Sequence, residues 1–118
     1  VRAAAAAIGS HLVPGRRVIV VNKSTMPVGA AELVAGILAE HAPAGADFRV
    51  VSNPEFLREG RVVHDILRPD RIVLGADDPA AAAAVEALYA PLGAPVIATD
   101  HRSAELIKYA ADAFLATK

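Results

Sequence analysis

Two short polar segments of the sequence carry side chains suited to chemistry, and residues 22–29 form the first. Here the hydroxyls of Ser24 and Thr25 precede Pro27 and Gly29. If a helix begins after Gly29, its free N–H groups and positive dipole end favour a phosphate or developing negative charge beside those hydroxyls. Simple helix capping by Ser24 or Thr25 is the other interpretation, and spacing alone favours it.

The second segment, residues 53–60, contains paired acids. Glu55 and Glu59 are four positions apart, so one helical turn would bring both carboxylates to the same face. Two like charges in one site disfavour the ionisation of one of them, and such a carboxyl group can act as a base near neutral pH. Spacing alone favours the alternative, an ordinary solvated surface on which Arg58 and Arg61 neutralise the two acids.

A third polar group lies near the end of the sequence. Glu105 is three positions before Lys108, and Asp112 is four positions after it, so the three share a polar face of a predicted helix. Such a charge ladder is usually structural. An ammonium group that lies under a substrate can instead stabilise an alkoxide or oxyanion.

Alternating strands and helices must position these groups. A continuous apolar run predicts a strand at residues 18–21, and mainly apolar segments bounded by turn residues predict strands at 48–51, 71–74 and 95–98. Periodicity and capping residues predict helices at residues 1–8, 30–41 and 79–89, a short one that starts at Asn53 and Pro54, and a last one from Ser103. This order predicts an α/β fold with a doubly wound, mainly parallel sheet. Such sheets bind ligands beyond the carboxyl ends of their strands, where both polar segments fall.

Composition excludes several classes of function. The 118 residues are 54% hydrophobic, which suits a compact domain, and the net charge of −1 comes from 12 basic and 13 acidic residues without a basic run. We therefore expect neither a nucleic-acid nor a membrane partner, and a cytoplasmic location. Without cysteine the chain has no thiol nucleophile or zinc-thiolate site. The histidines lack metal-site spacing and are interpreted as surface or capping residues, at His11, His41, His64 and His101.

The ends of the sequence resemble interruptions of helices. No capping residue precedes the first helical pattern, and the last pattern still continues at Lys118. This predicts that the chain is an internal piece of a longer protein.

Four strings of the sequence, in order and spacing, resemble successive signatures of the bacterial UDP-glucose 6-dehydrogenase family. They are KSTMPVG at 23–29, NPEFLREG at 53–60, RPDRIVLG at 68–75 and SAELIKYAA at 103–111. The resemblance implies a Rossmann-like fold in which residues 1–102 form the second half of an NAD-binding domain. Residues 103–118 would begin the long helix that joins two domains and builds a homodimer.

The resemblance also implies roles for side chains near the cofactor. Thr25 matches a threonine that positions a water beside the nicotinamide of NAD, and Ser24 and Pro27 match its cofactor-lining neighbours. Glu55 matches a glutamate of the acid/base and water-activating chemistry. Glu59 matches a second glutamate, assigned to cofactor contact or to hydrolysis.

Other implied roles concern the sugar nucleotide. Phe56 and Leu57 match backbone contacts to the substrate, and Lys108 matches the lysine that stabilises oxyanions. Asp112 departs from the pattern, because family members usually carry asparagine, which can donate a hydrogen bond where an ionised aspartate cannot. Either an ion pair with Lys108 weakens catalysis or Asp112 stays partly protonated.

The resemblance predicts the oxidation of UDP-glucose to UDP-glucuronate with two NAD. Alternatives are a relative that oxidises GDP-mannose or a UDP-N-acetylhexosamine, or an isolated fragment that acts only as an inactive structural or oligomerising piece. The eight glycines contain no Gly-x-Gly-x-x-Gly phosphate loop. The family's nucleophilic cysteine would lie beyond Lys118, so this chain alone is expected to be inactive.

Overall fold

A computed structural model describes residues 1–117. Its strands are β1 (Arg17–Asn22), β2 (Asp47–Ser52), β3 (Ile72–Gly75) and β4 (Val96–Thr99). Its helices are α1 (Arg2–Ser10), α2 (Ala30–His41), α3 (Val62–Leu67), α4 (Pro79–Tyr89) and α5 (His101–Ala116), with a short 3-10 turn at Ala90–Leu92. The predicted continuation of the last helix to Lys118 lies outside the described residues.

The four strands form one sheet in the order β1-β2-β3-β4. β1 pairs with β2 in parallel along its length, and β3 pairs with β4 in parallel. The two halves meet in antiparallel orientation at one residue pair, Ser52 with Gly75. The predicted α/β fold with a mainly parallel sheet is therefore confirmed, and the reversal between β2 and β3 is an addition to it.

Helices cover both faces of this sheet. On one face α1 and α2 pack against β2 around Leu38 and Val50. On the other face α4 packs against β2 and β3 around Val51, Leu74 and Val85. Val50 and Val51 are consecutive residues that belong to opposite cores, because successive side chains of a strand point to opposite faces. Burial on both faces is thus the reason why two consecutive residues of β2 are apolar.

The prediction that a helix starts at Asn53 is wrong. Residues 53–58 form an extended loop, and the next helix, α3, begins only at Val62. The N–H of Asn53 donates to the carbonyl of Asn22 (2.8 Å), which continues the β1–β2 ladder. The Asn53 side chain is also hydrogen-bonded to Val73 of β3, to Lys23 and to Tyr89 of α4, as described below. A residue held in this way cannot cap a helix.

Helix α5 begins two residues before the predicted Ser103. Asp100 is its N-cap and accepts a hydrogen bond from the backbone N–H of Ser103 (2.8 Å). The Ser103 hydroxyl donates to the other carboxylate oxygen of Asp100 (2.8 Å). The N–H of Ser103 holds the pKa of Asp100 below its usual value. The predicted cap of α4 is confirmed, since Asp78 accepts from the N–H of Ala80 (2.9 Å).

Gly75 brings α5 against the end of β3. A Cβ atom at this position would lie 2.6 Å from the Cβ of Ala104 and 2.7 Å from the carbonyl oxygen of Asp100. Only glycine therefore permits this approach of helix to strand. No helix within residues 1–117 is long and apolar enough to cross a membrane.

Candidate functional site

The carboxyl ends of β1 and β2 lie side by side, with Asn22 opposite Ser52. The two polar segments that follow these strands meet α5 there. A gap of about 10 Å³ lies at the junction. Side chains from all three stretches line it: Asn22, Ser24, Met26, Ala30, Ser52, Pro54, Glu105 and Lys108. Ser24 and Lys108 therefore meet at this gap, whereas Thr25 and Glu55 do not line it.

The loop of Ser24 and Thr25 ends at a glycine turn. Gly29 is the N-cap of α2 with a φ of 98°, a left-handed conformation that favours glycine, and no side chain caps the helix there. The N–H of Ala30 approaches the Pro27 carbonyl oxygen at 3.0 Å. The capping interpretation of Ser24 and Thr25 is therefore wrong, and both residues are exposed.

Glu55 folds back on its own loop. Its carboxylate accepts a hydrogen bond from the N–H of Leu57 (2.7 Å), and the side chain is half-buried. Because residues 53–58 are extended, Glu55 and Glu59 do not share a helical face as predicted. Glu59 is exposed and lines neither of the two cavities near Glu55. The structure therefore does not bring the paired acids together.

Arg58 anchors the loop to α3 instead of neutralising the two glutamates. Its backbone N–H and its guanidinium donate to the buried carboxylate of Asp65, at 2.7–3.1 Å. The Arg58 guanidinium holds the pKa of Asp65 far below its usual value. Sequence reasoning missed Asp65, whose partner is seven residues away and has no helical spacing to it.

Asn53 joins the first polar segment to the opposite half of the sheet. It is 3% exposed, and its amide donates to the carbonyl of Val73 (3.1 Å) across the antiparallel junction. Its amide oxygen accepts from the ammonium of Lys23 (2.9 Å) and from the hydroxyl of Tyr89. Lys23 also lies 5.6 Å from the ring centre of Tyr89. These contacts fix the start of the Glu55 loop.

A larger cavity of about 260 Å³ lies beside the same loop. Its walls include Glu55, Phe56 and Leu57, and Lys23 and Arg71 also border it. The guanidinium of Arg71 is 4.9 Å from the ring centre of Phe56, within range of a cation–π contact. The ammonium of Lys108 is 5.3 Å from the centre of the same ring. Phe56, which lines the large cavity, therefore lies next to Lys108, which lines the small gap.

Lys108 is buried and points toward the loops. Its ammonium contacts the carboxylate of Asp112 at 3.1 Å, one helical turn further along α5. The geometry is that of the first alternative for Asp112, an ion pair with Lys108. Two residues of the polar face predicted for α5, Glu105 and Lys108, are buried. The third, Asp112, is exposed.

His101 is the histidine that departs from the predicted surface or capping role. It is buried at the start of α5, and its Nδ1 lies 2.9 Å from the hydroxyl oxygen of Ser52. Its Nε2 is 3.9 Å from the carboxylate of the exposed Asp77. This contact ties α5 to the end of β2. The other three histidines are exposed.

The arrangement suits polar chemistry on a ligand above the sheet edge. The buried ammonium of Lys108 is suited to stabilise negative charge on oxygen. The loop hydroxyls of Ser24 and Thr25 precede the positive dipole end of α2, which favours polar or anionic groups. Hydroxyl groups beside a helix N-terminus together with an ammonium are the types of group that contact the polar and anionic parts of a ligand such as a dinucleotide.

Comparison with known proteins adds a family to this geometry. The model of the NAD binding domain of the UDP-glucose/GDP-mannose dehydrogenase family matches residues 1–93. The chain is 54% identical over 118 residues to UDP-glucose 6-dehydrogenase TuaD of Bacillus subtilis (strain 168), covering 100% of this chain and 25% of that protein. It is 51% identical over 105 residues to UDP-glucose 6-dehydrogenase of Rhizobium meliloti (strain 1021), covering 85% and 24%.

Solved structures agree with the sequence relatives. A UDP-glucose dehydrogenase from Pyrobaculum islandicum superposes with a TM-score of 0.92 at 49% identity, covering 98% of this chain and 27% of that one. A GDP-mannose dehydrogenase from Pseudomonas aeruginosa gives 0.91 at 32% identity, covering 98% and 28%. The chain spans about a quarter of the length of these proteins.

Proposed function

Because this chain belongs to the UDP-glucose/GDP-mannose dehydrogenase family, we propose that it forms part of an enzyme that oxidises UDP-glucose to UDP-glucuronate with two NAD. Residues 1–102 are the second half of the NAD-binding domain, and residues 103–118 begin the central helix. The observation that carries the proposal is that the ends of β1 and β2, with Ser24 and Pro54 of the loops that follow them, meet Lys108 of α5 at one edge of the sheet. NAD, when bound, accepts a hydride.

In this proposal Lys108 stabilises the negative charge that develops on the substrate oxygen. Burial supports this role, because an ammonium shielded from water interacts more strongly with an anion. The aromatic ring of Phe56 borders the ammonium and orients the side chain. The carboxylate of Asp112, one turn further along α5, forms an ion pair with the Lys108 ammonium. It therefore competes with the substrate oxygen for that ammonium. Asp112 thus lowers the rate of the proposed reaction.

The two loops hold the cofactor and the acid/base groups. Ser24, Thr25 and Pro27 line the nicotinamide end of NAD, and Thr25 positions a water with its exposed hydroxyl. Glu55 supplies the base, and the Leu57 N–H that it now holds becomes a donor to the substrate when the carboxylate turns away. Glu59 contacts the cofactor from the exposed end of the loop.

Backbone groups of Phe56 and Leu57 form the substrate side of the proposed site. Phe56 and Leu57 hold the sugar nucleotide through the main chain of the extended loop, which Arg58 and Asp65 fix in place. UDP-glucose is preferred to GDP-mannose in this proposal because sequence identity is 54% to a UDP-glucose enzyme and 32% to a GDP-mannose enzyme.

The test uses the longest natural protein that contains these residues. We expect it to reduce NAD with UDP-glucose, and Lys108→Met to lower kcat by about 100-fold or more, the effect of losing one oxyanion donor. Arg16→Met, an equally drastic change at an exposed site, is the matched control. Turnover of GDP-mannose alone would overturn the substrate assignment, and an unimpaired Lys108→Met would overturn the role of the lysine.

We also propose that α5 forms a homodimer contact. Several large apolar side chains of this helix are exposed: Leu106, Tyr109, Phe114 and Leu115. Leu106 and Tyr109 are three positions apart and share one face of α5, and exposed apolar side chains grouped in this way are typical of a protein interface. Sedimentation of the longer protein tests this, with Leu106→Glu expected to shift the dimer toward monomer. A monomeric parent protein would contradict the proposal.

A further inference from the structure

Glu105 is the one buried side chain of the described chain with an oxygen that lacks a hydrogen-bond partner. It is 6% exposed. Its other oxygen, Oε2, accepts a hydrogen bond from the N–H of Ala30 at 2.9 Å, across 75 residues of sequence. A buried carboxylate is costly unless it stabilises something nearby, so its position calls for a specific role.

The side chain lies where the groups of the proposed site are joined. Ala30 is the first residue of α2 and directly follows the loop that carries Thr25. Lys108 is one turn beyond Glu105 on α5, and both line the same small gap. The carboxylate therefore interacts with the positive end of α2 through Oε2, while Oε1 is buried without a hydrogen-bond partner.

Resting on the proposed function, we propose that Glu105 is a positioning residue that fixes the Thr25 loop relative to Lys108. The hydrogen bond to Ala30 holds the first turn of α2 against α5. That contact sets how far the hydroxyls of the loop lie from the ammonium. A displacement of about 1 Å between such groups is sufficient to cost roughly 100-fold in rate.

The surface offers a matched control for the same pair of helices. Arg102 on α5 donates to Glu32 on α2 through two nitrogens, at 2.9 and 3.1 Å. Both side chains are more than half exposed. This contact links the same helices without touching the first residue of α2. Arg102→Ala therefore removes a link between them and leaves the proposed positioning contact intact.

The experiment compares Glu105→Ala, Glu105→Gln and Arg102→Ala in the longest natural protein that contains the chain. Hydrogen exchange is measured by mass spectrometry on peptides that cover the first turn of α2, and kcat and KM are measured with UDP-glucose and NAD. Glutamine keeps the length and an acceptor oxygen, so it should restore much of what alanine loses. If the alanine variant aggregates, Glu105→Asp, which keeps the charge but shortens the reach, replaces it.

We expect Glu105→Ala to accelerate exchange at the first turn of α2 by about 10- to 100-fold, the effect of losing a hydrogen bond to a charged group. The kcat of this variant should fall at least about tenfold with little change in KM, because Glu105 positions reacting groups and does not bind the substrate. Glu105→Gln and Arg102→Ala should stay within about threefold of the parent in both measurements.

Two results would overturn the inference. Unchanged exchange in Glu105→Ala would show that the contact does not hold α2, whatever the enzyme does. Faster exchange with unchanged kcat would reduce Glu105 to a stability role. If the parent protein does not oxidise UDP-glucose at all, the proposed function fails, and the exchange measurement still decides whether the contact exists.

Discussion

Replacement of Gly75 by alanine tests the packing of α5 on the sheet most directly. The added Cβ would lie 2.6 Å from Ala104 Cβ and 2.7 Å from the carbonyl oxygen of Asp100. Carbon atoms prefer a separation of about 3.5–4.0 Å, so α5 must move outward by about 1 Å. Neither neighbour is the flexible end of a long side chain. The movement would carry Lys108 away from the loops.

The expected cost follows from the packing. Overpacking of this kind destabilises by about 1–3 kcal/mol. Gly36 provides the control, because it lies inside α2 with nothing within 4 Å of its would-be Cβ. The same substitution there should stabilise by about 0.5–1 kcal/mol, since alanine favours the helix. The two variants should therefore differ by about 1.5–4 kcal/mol, with opposite signs relative to the parent.

Urea unfolding of the 118-residue chain, followed by circular dichroism, measures both variants. A difference of 1 kcal/mol corresponds to roughly 3–6 °C in Tm for a chain of this size, so thermal unfolding gives an independent check. Equal stability of Gly75→Ala and the parent would show that α5 adjusts freely. The close packing would then not position Lys108.

Two further predictions concern charged side chains. Because Arg58 lowers the pKa of Asp65, the ionised carboxylate stabilises the fold above about pH 4, and this contribution is lost as pH falls below that value. Asp65→Asn should thus be less stable at pH 7 and show a flatter dependence of urea midpoint on acid than Glu86→Gln, an exposed control. Asp112→Asn should raise kcat of the longer protein by roughly two- to fivefold by releasing Lys108, and a decrease would refute the competing ion pair.

Local patterns were sufficient for the four strands and for most of the helices. The apolar run of β1 and the period of α2 depend on neighbours in sequence, so both were predicted closely. Asn53 shows where this fails. Its preference for a helix cap is local, but contacts with Val73, Lys23 and Tyr89 from distant stretches hold it in an extended loop.

The candidate site divides in the same way. The order of the strands predicted that residues 22–29 and 53–60 follow the carboxyl ends of neighbouring strands, because parallel strands end together, and Ser24 and Pro54 do meet at one gap. Thr25 and Glu55, which the motifs singled out, do not line that gap. The spacing of Glu55 and Glu59 depended on a helix that does not form. The partners of Asp65 and Glu105 lie on other elements, so sequence spacing carried no signal for them.

The single pairing of Ser52 with Gly75 has a mechanical consequence. Backbone hydrogen bonds are the stiffest ties within a sheet, and across this junction they are few. The side-chain amide of Asn53 supplies one hydrogen bond across the junction, and α5 packs against both β2 and β3 there. Sliding of one half against the other would break few backbone hydrogen bonds, so the apolar core around Val51 and Leu74 and the packing of α5 must hold the two halves in register.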